Sequence, residues 1–158
     1  MTRGELIKTG AGGVLLLNLS ACAPAAGQSR ATMLASIANV LLEGALPNGD
    51  ARRAALADAV NGIENAIAGL PPAVQGEVFQ LFTLLEFPLT RVTVAGVYRA
   101  WADAPPAEVA AFLERWRTSK FLLLRSGYQA LHQLTMAGWY AQEAAWERAG
   151  YSGPPRLS

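Results

Sequence analysis

The apolar positions of this chain repeat at helical spacing along nearly its whole length. Leu34, Ile37, Ala38, Leu41 and Ala45 recur every three or four residues and predict a first helical face. "PNGD" at residues 47–50 is a turn, with Asp50 placed to cap the helix that follows. The second face is cleaner. Leu56, Ala59, Val60, Ile63, Ile67 and Leu70 line one side, while Arg53, Asp58, Asn61 and Asn65 line the other. "LPP" at residues 70–72 stops that helix and starts a third, whose face is Val74, Val78, Leu81, Phe82 and Leu85. Pro88 ends it.

The second half is less regular at its start. "LTRVTVAGV" at residues 89–97 alternates β-branched residues in the manner of a strand. A lone strand makes no sheet, so the expectation is a loop running into a short helix. "DAPPAEV" at residues 103–109 is a helix start: Asp103 as cap, prolines in the first turn, and Glu108 near the positive end of the dipole. From there Val109, Phe112, Leu113, Trp116, Lys120, Leu123, Leu124, Gly127, Leu131 and Leu134 keep the helical spacing. That pattern predicts one helix of about 30 residues, with Gly127 a weak point or a close-packing site. Gly138 is expected to break or bend it. "WYAQEAAWERAG" at residues 139–150 then makes a short last helix, with Gly150 at its C-terminal cap. The expected fold is all-α, a compact bundle of five or six helices after an N-terminal signal segment.

Charge and composition narrow the function. A formal net charge of +1 gives no electrostatic basis for binding nucleic acid. Hydrophobic residues make up 52% of the chain and charged ones 16%. That leaves surplus apolar surface for a signal segment, a membrane or a partner. With Cys22 the only cysteine and His132 the only histidine, an internal disulfide, a His/Cys metal cluster and a C-x-x-C-H haem site are all ruled out.

The candidate chemical groups each have a plainer reading. His132, between Leu131 and Leu134, has no cysteine or carboxylate set nearby in sequence and is read as structural. Glu86, inside "LLEFP", would have a raised pKa if buried. The expectation is instead an outward position at a helix end, or a pairing with an arginine such as Arg91 or Arg125. "RWRTSK" at residues 115–120 could recognise a phosphate, but is read as the outer face of a helix with Trp116 turned inward. "GAGG" at residues 10–13 precedes no β-α unit and is not a phosphate loop. The chain is therefore expected to carry neither catalytic machinery nor a cofactor site of its own.

The leader changes the picture. Arg3 and Lys8 are followed by an apolar run at residues 11–19, too short to span a hydrocarbon core of about 30 Å. "LSAC" at residues 19–22 then resembles the bacterial lipobox: a branched apolar residue, two small ones and a cysteine. The resemblance implies a diacylglyceryl group on Cys22, export, and a lipid anchor on the periplasmic side of a membrane. "TRGELIK" at residues 2–8 also resembles a twin-arginine export motif, with Gly4 where the second arginine would stand. The expected division is a signal peptide at 1–21, a tether at 22–29 and a helical domain at 30–158.

The aromatic-rich end carries a family resemblance. "ALHQLTMAGWYAQEAAWERAGYSGPP", residues 130–155, resembles the end of the gluconate 2-dehydrogenase subunit 3 family, through Trp139, Tyr140, Trp146, Gly150, Tyr151, Gly153 and Pro154. Ser152 stands where the family has proline, and "FLERWRTS" at residues 112–119 is similar to the family's upstream helix. The resemblance implies a non-catalytic small subunit beside a large FAD-bearing dehydrogenase of the glucose-methanol-choline type. It leaves room for a cytochrome c subunit in the same complex. Trp139, Tyr140, Trp146, Tyr151, Pro154 and Pro155 then become candidates for the partner interface, since rigid aromatic and proline side chains supply contact area at low entropic cost. On a straight helix Trp139 and Trp146 would share one stripe about two turns apart, suited to closing the bundle. Core seal and docking segment both stay open. A free-standing helical lipoprotein that binds a small apolar ligand is the alternative from another class.

Overall fold

The computed structural model describes residues 26–148 and residue 150. These residues form an all-helical bundle with no strand among them. Helix α1 is Ala26–Leu41, α2 is Asp50–Ala68 and α3 is Pro72–Glu86. A single turn, α4 (Pro88–Thr90), runs on into a π-helical turn at Arg91–Ala95. Then come α5 (Pro106–Arg117), α6 (Leu122–Tyr140) and α7 (Glu143–Arg148). Helix α1 starts at Ala26, four residues ahead of the expected domain start.

Helix α1 lies at the centre, packed by α2, α3, α5 and α6. Its buried side chains are Met33, Leu34, Ile37 and Ala38. They meet Ala59, Val60, Ile63 and Ile67 of α2, and Val78, Phe82 and Leu85 of α3, as the three-four spacing requires. Val74, expected on that face of α3, is exposed because it lies in the helix's first turn, beyond the reach of α1. Polar side chains lock the helix pairs: Arg52 Nε donates to Asn39 Oδ1 across 2.8 Å, tying α2 to α1.

Several boundaries differ from the sequence expectation. Asp50 and Asp103 are not caps. Gly49 and Pro105 occupy those positions, leaving Asp50 as the first helical residue, where its charge still favours the dipole. Residues 88–95 are helical rather than a loop, and the irregular stretch follows at 97–105. That stretch is fixed by two buried side chains, Val97 and Trp101. Trp101 Nε1 donates to the Leu85 carbonyl at 2.9 Å, and its ring meets Phe112 edge-on at 6.1 Å. Gly96 ends the π-turn in the left-handed region at φ 65°, where a side chain would also collide with the Arg115 guanidinium.

The continuous helix expected across residues 109–134 is two helices. Thr118 Oγ1 turns back to the Glu114 carbonyl at 2.8 Å, and Ser119 Oγ accepts the Phe121 N–H at 3.1 Å. The Thr118 hydroxyl doubles the helical bond that its own N–H makes to Glu114, whereas Ser119 gives the Phe121 N–H an alternative to the helical ladder. The chain therefore reverses, and α6 folds back along α5. Gly127 is a close-packing site: a Cβ there would meet the Trp116 ring. Gly138 does not break α6, which runs through it to Tyr140. It sits against Gly62 of α2, with the two backbones so close that a Cβ on Gly138 would lie 2.5 Å from the Ile63 nitrogen.

Candidate functional site

Helix α6 delivers the aromatic end of the chain to one face of the bundle. Trp139, 4% exposed, packs in a small apolar cluster with Ala38, Leu42, Leu46, Ala59 and Ala145. It seals the bundle. Tyr140, the next residue, turns the other way and is 49% exposed. The straight stripe expected for Trp139 and Trp146 is interrupted at residues 141–142, where the helix stops before α7. The Ala141 and Gln142 N–H groups close onto the Ala137 and Trp139 carbonyls. Trp146 therefore folds back, its Nε1 donating to the Tyr140 carbonyl at 2.6 Å.

This arrangement leaves a groove of about 590 Å³. Trp139, Tyr140 and Ala145 form one wall, and Gly44, Ala45, Leu46 and Pro47 of the α1–α2 turn form the other. Of the residues expected at an interface, the structure thus places Trp139, Tyr140 and Trp146 together at one end. Tyr151, Pro154 and Pro155 lie outside the described residues, as does the lipidation candidate Cys22.

A second groove, of about 620 Å³, has Glu86, Arg91 and Trp101 on its walls. The arginine partner expected for Glu86 is present, but it is a different arginine. Neither Arg91 nor Arg125 pairs with it. Arg30 of α1 does, with Nε 3.9 Å from Glu86 Oε1. At that distance the attraction acts through space without a hydrogen bond, and both atoms are buried with no protein hydrogen-bond partner, like Arg91 Nε. The Arg30 guanidinium also lies over the Phe79 ring at 4.9 Å. Burial pushes the Glu86 carboxyl above its ordinary range, against the pull of Arg30 and with a smaller push from Glu64. No sequence signal pairs Arg30 with Glu86, because the two meet only through the packing of α1 on α3.

The sign of that shift gives a testable pH dependence. A carboxyl with a raised folded pKa binds its proton more tightly in the native state, so its contribution to stability is lost as pH rises through that pKa. Glu86→Gln removes the titration. Its stability is therefore expected to improve relative to the native chain, in urea unfolding, as pH rises from the ordinary carboxylate range through the raised native pKa. A constant difference across that interval, or one that declines, would refute the assignment.

The remaining candidates are structural in their contacts. His132, half-buried on α6, rests beside the Tyr128 ring at 5.8 Å. Within the basic run at residues 115–120, Arg115 donates to the Ala95 carbonyl, Trp116 Nε1 to the Val94 carbonyl at 3.2 Å, and Arg117 forks onto Glu114 with both bonds at 2.8 Å, while Lys120 is exposed. Among the described residues no group of His, Cys, Asp and Glu is placed to hold a metal ion. No family model, curated protein or solved structure matches the chain.

Proposed function

We propose that this chain is a non-catalytic small subunit of a membrane-associated flavin-dependent dehydrogenase, of the gluconate 2-dehydrogenase subunit 3 type. In this reading it is exported, carries a lipid on Cys22 at the periplasmic side of the membrane, and escorts or anchors a large FAD-bearing subunit. The observation that carries the reading is the aromatic pair at the end of α6. Trp139 is committed to the core, while its neighbour Tyr140 is presented at the lip of a groove. Among the described residues, no apolar cluster takes in the Tyr140 ring. A partner segment seated between Tyr140 and the 44–47 turn would cover it.

The reading also has a physical logic. A dehydrogenase that binds its flavin in the cytoplasm loses it if unfolded for transport, so a folded partner with a leader is a workable route out. Deleting this chain is expected to strand the flavin-loaded dehydrogenase in the cytoplasm, read as dye-coupled activity in separated fractions. Undiminished periplasmic activity in the deletion strain, with this chain purifying alone from membranes, would overturn the proposal. Mass spectrometry is expected to show diacylglyceryl on an N-terminal Cys22.

A further inference from the structure

The α5–α6 corner places its most apolar side chains in solvent. Phe121, Leu122 and Leu123 are 72%, 70% and 79% exposed. They are consecutive, and the backbone changes there from extended at Phe121 to helical at Leu122, so all three side chains project from the tip. Neither of the two grooves described above includes a residue of this corner. It is a knob rather than a socket. It is also held stiffly: Arg125 Nη1 donates to the Ser119 carbonyl at 2.7 Å, in addition to the Ser119–Phe121 bond.

The charges around it are of one sign. Residues 115–142 contain Arg115, Arg117, Lys120 and Arg125 and no aspartate or glutamate. Glu114, just before them, pairs with Arg117, which leaves Arg115, Lys120 and Arg125 as the cations not matched by a carboxylate in that stretch. The π-turn is stitched to the last turn of α5 by the bonds of Arg115 and Trp116, which brings exposed Leu89 and Val94 toward the same end of α5. Residues 87–102 add Arg99, again with no acid, while Arg91 lies on the wall of the groove that holds Glu86.

We infer that this corner enters the interfacial layer of an anionic lipid bilayer. Phe121, Leu122 and Leu123 leave water for the boundary between headgroups and acyl chains, and the surrounding cations meet lipid phosphates. Protruding apolar side chains ringed by arginine and lysine match that layered environment, apolar below and anionic above. No single helix among the described residues is long and apolar enough to cross a membrane, although α3 and the segment Pro88–Ala95, bent by 77°, pass that test together by length and composition. The inference needs neither the acyl group on Cys22 nor a dehydrogenase partner.

The test uses the full chain with Cys22→Ser, which removes the native cysteine, and Leu122→Cys labelled with a nitrobenzoxadiazole fluorophore. Asp58→Cys, on the outward face of α2, carries the control label. Phosphatidylglycerol–phosphatidylethanolamine vesicles are expected to shift the emission at position 122 to the blue. The shift should fall with added salt, be quenched by acyl-brominated lipid, and be absent at position 58. Lys120→Glu is expected to weaken the response on the order of tenfold in vesicle concentration. Four results would each overturn the inference: no shift at 122, an equal shift at 58, an equal shift on phosphatidylcholine vesicles, or indifference to Lys120→Glu. A shift produced by raising protein concentration alone, or only by adding another protein, would also overturn it, making the corner a contact between copies or between subunits.

Discussion

Gly138→Ala is expected to destabilise the domain by about 3 kcal/mol, although alanine is the better helix former. The added methyl would sit 2.5 Å from the backbone nitrogen of Ile63 and 2.8 Å from its side chain. Backbone cannot rotate out of the way, so α2 and α6 must separate along the most extensive helix–helix contact in the bundle. Separation loosens Ile63 and Leu131 together, both buried in the main core. Gly62→Ala should act alike, since its methyl would run into the Gly138 carbonyl. Gly76→Ala is the matched control. It lies within α3 with nothing in the path of a methyl, and is expected to stabilise by roughly 0.5–1 kcal/mol. Thermal and urea unfolding of the three variants check this. Equal effects at positions 76 and 138 would mean that the two helices are not in backbone contact.

Trp139→Ala and Tyr140→Ala are expected to separate stability from association. Trp139 joins α1, the α1–α2 turn, α2, α6 and α7 in one cluster, and removing its indole leaves a large void where they meet. The expected cost is about 3–5 kcal/mol, a large share of the roughly 5–15 kcal/mol that holds an ordinary domain folded. Tyr140→Ala should change stability by no more than about 0.5 kcal/mol, because the ring is half in solvent. Under the proposed function it should nevertheless reduce recovery of the dehydrogenase with this chain. Unfolding curves and co-purification yields, measured on the same preparations, decide the matter. A Tyr140→Ala chain that retains its partner in full would remove the docking role from this residue.

How much of this was legible in the sequence depends on whether a feature is local. The buried faces of α1 and α2 could be read because a helix repeats every 3.6 residues whatever it packs against. Ala59, Val60, Ile63 and Ile67 are buried as the spacing requires. The same rule misled at the α5–α6 corner. Leu123 keeps the spacing, but spacing cannot distinguish a leucine turned to the core from one turned to solvent. The signal lay in Ser119, whose hydroxyl competes for a backbone group. Gly138 was misread for a different reason. A glycine that breaks a helix and one that admits a neighbouring backbone look identical until the opposing Gly62 is known. Arg30 and Glu86 share that difficulty. At the candidate site, the aromatic composition was legible, whereas the division of labour between Trp139 and Tyr140 was not, because it follows from how α6 rotates against α1 and α2.

The pairing of α2 with α6 also sets when the domain can fold. A ribosome delivers α1 before α2, yet the second helix finds its main neighbour only after α3, α4 and α5 have emerged. Until then the apolar side of α2 is open to chaperones and to mistaken neighbours, and the closing of so long a loop delays the rate-limiting encounter. Native structure is therefore a late, post-synthetic event here, and a stall or truncation anywhere ahead of α6 releases an adhesive intermediate instead of a smaller working domain.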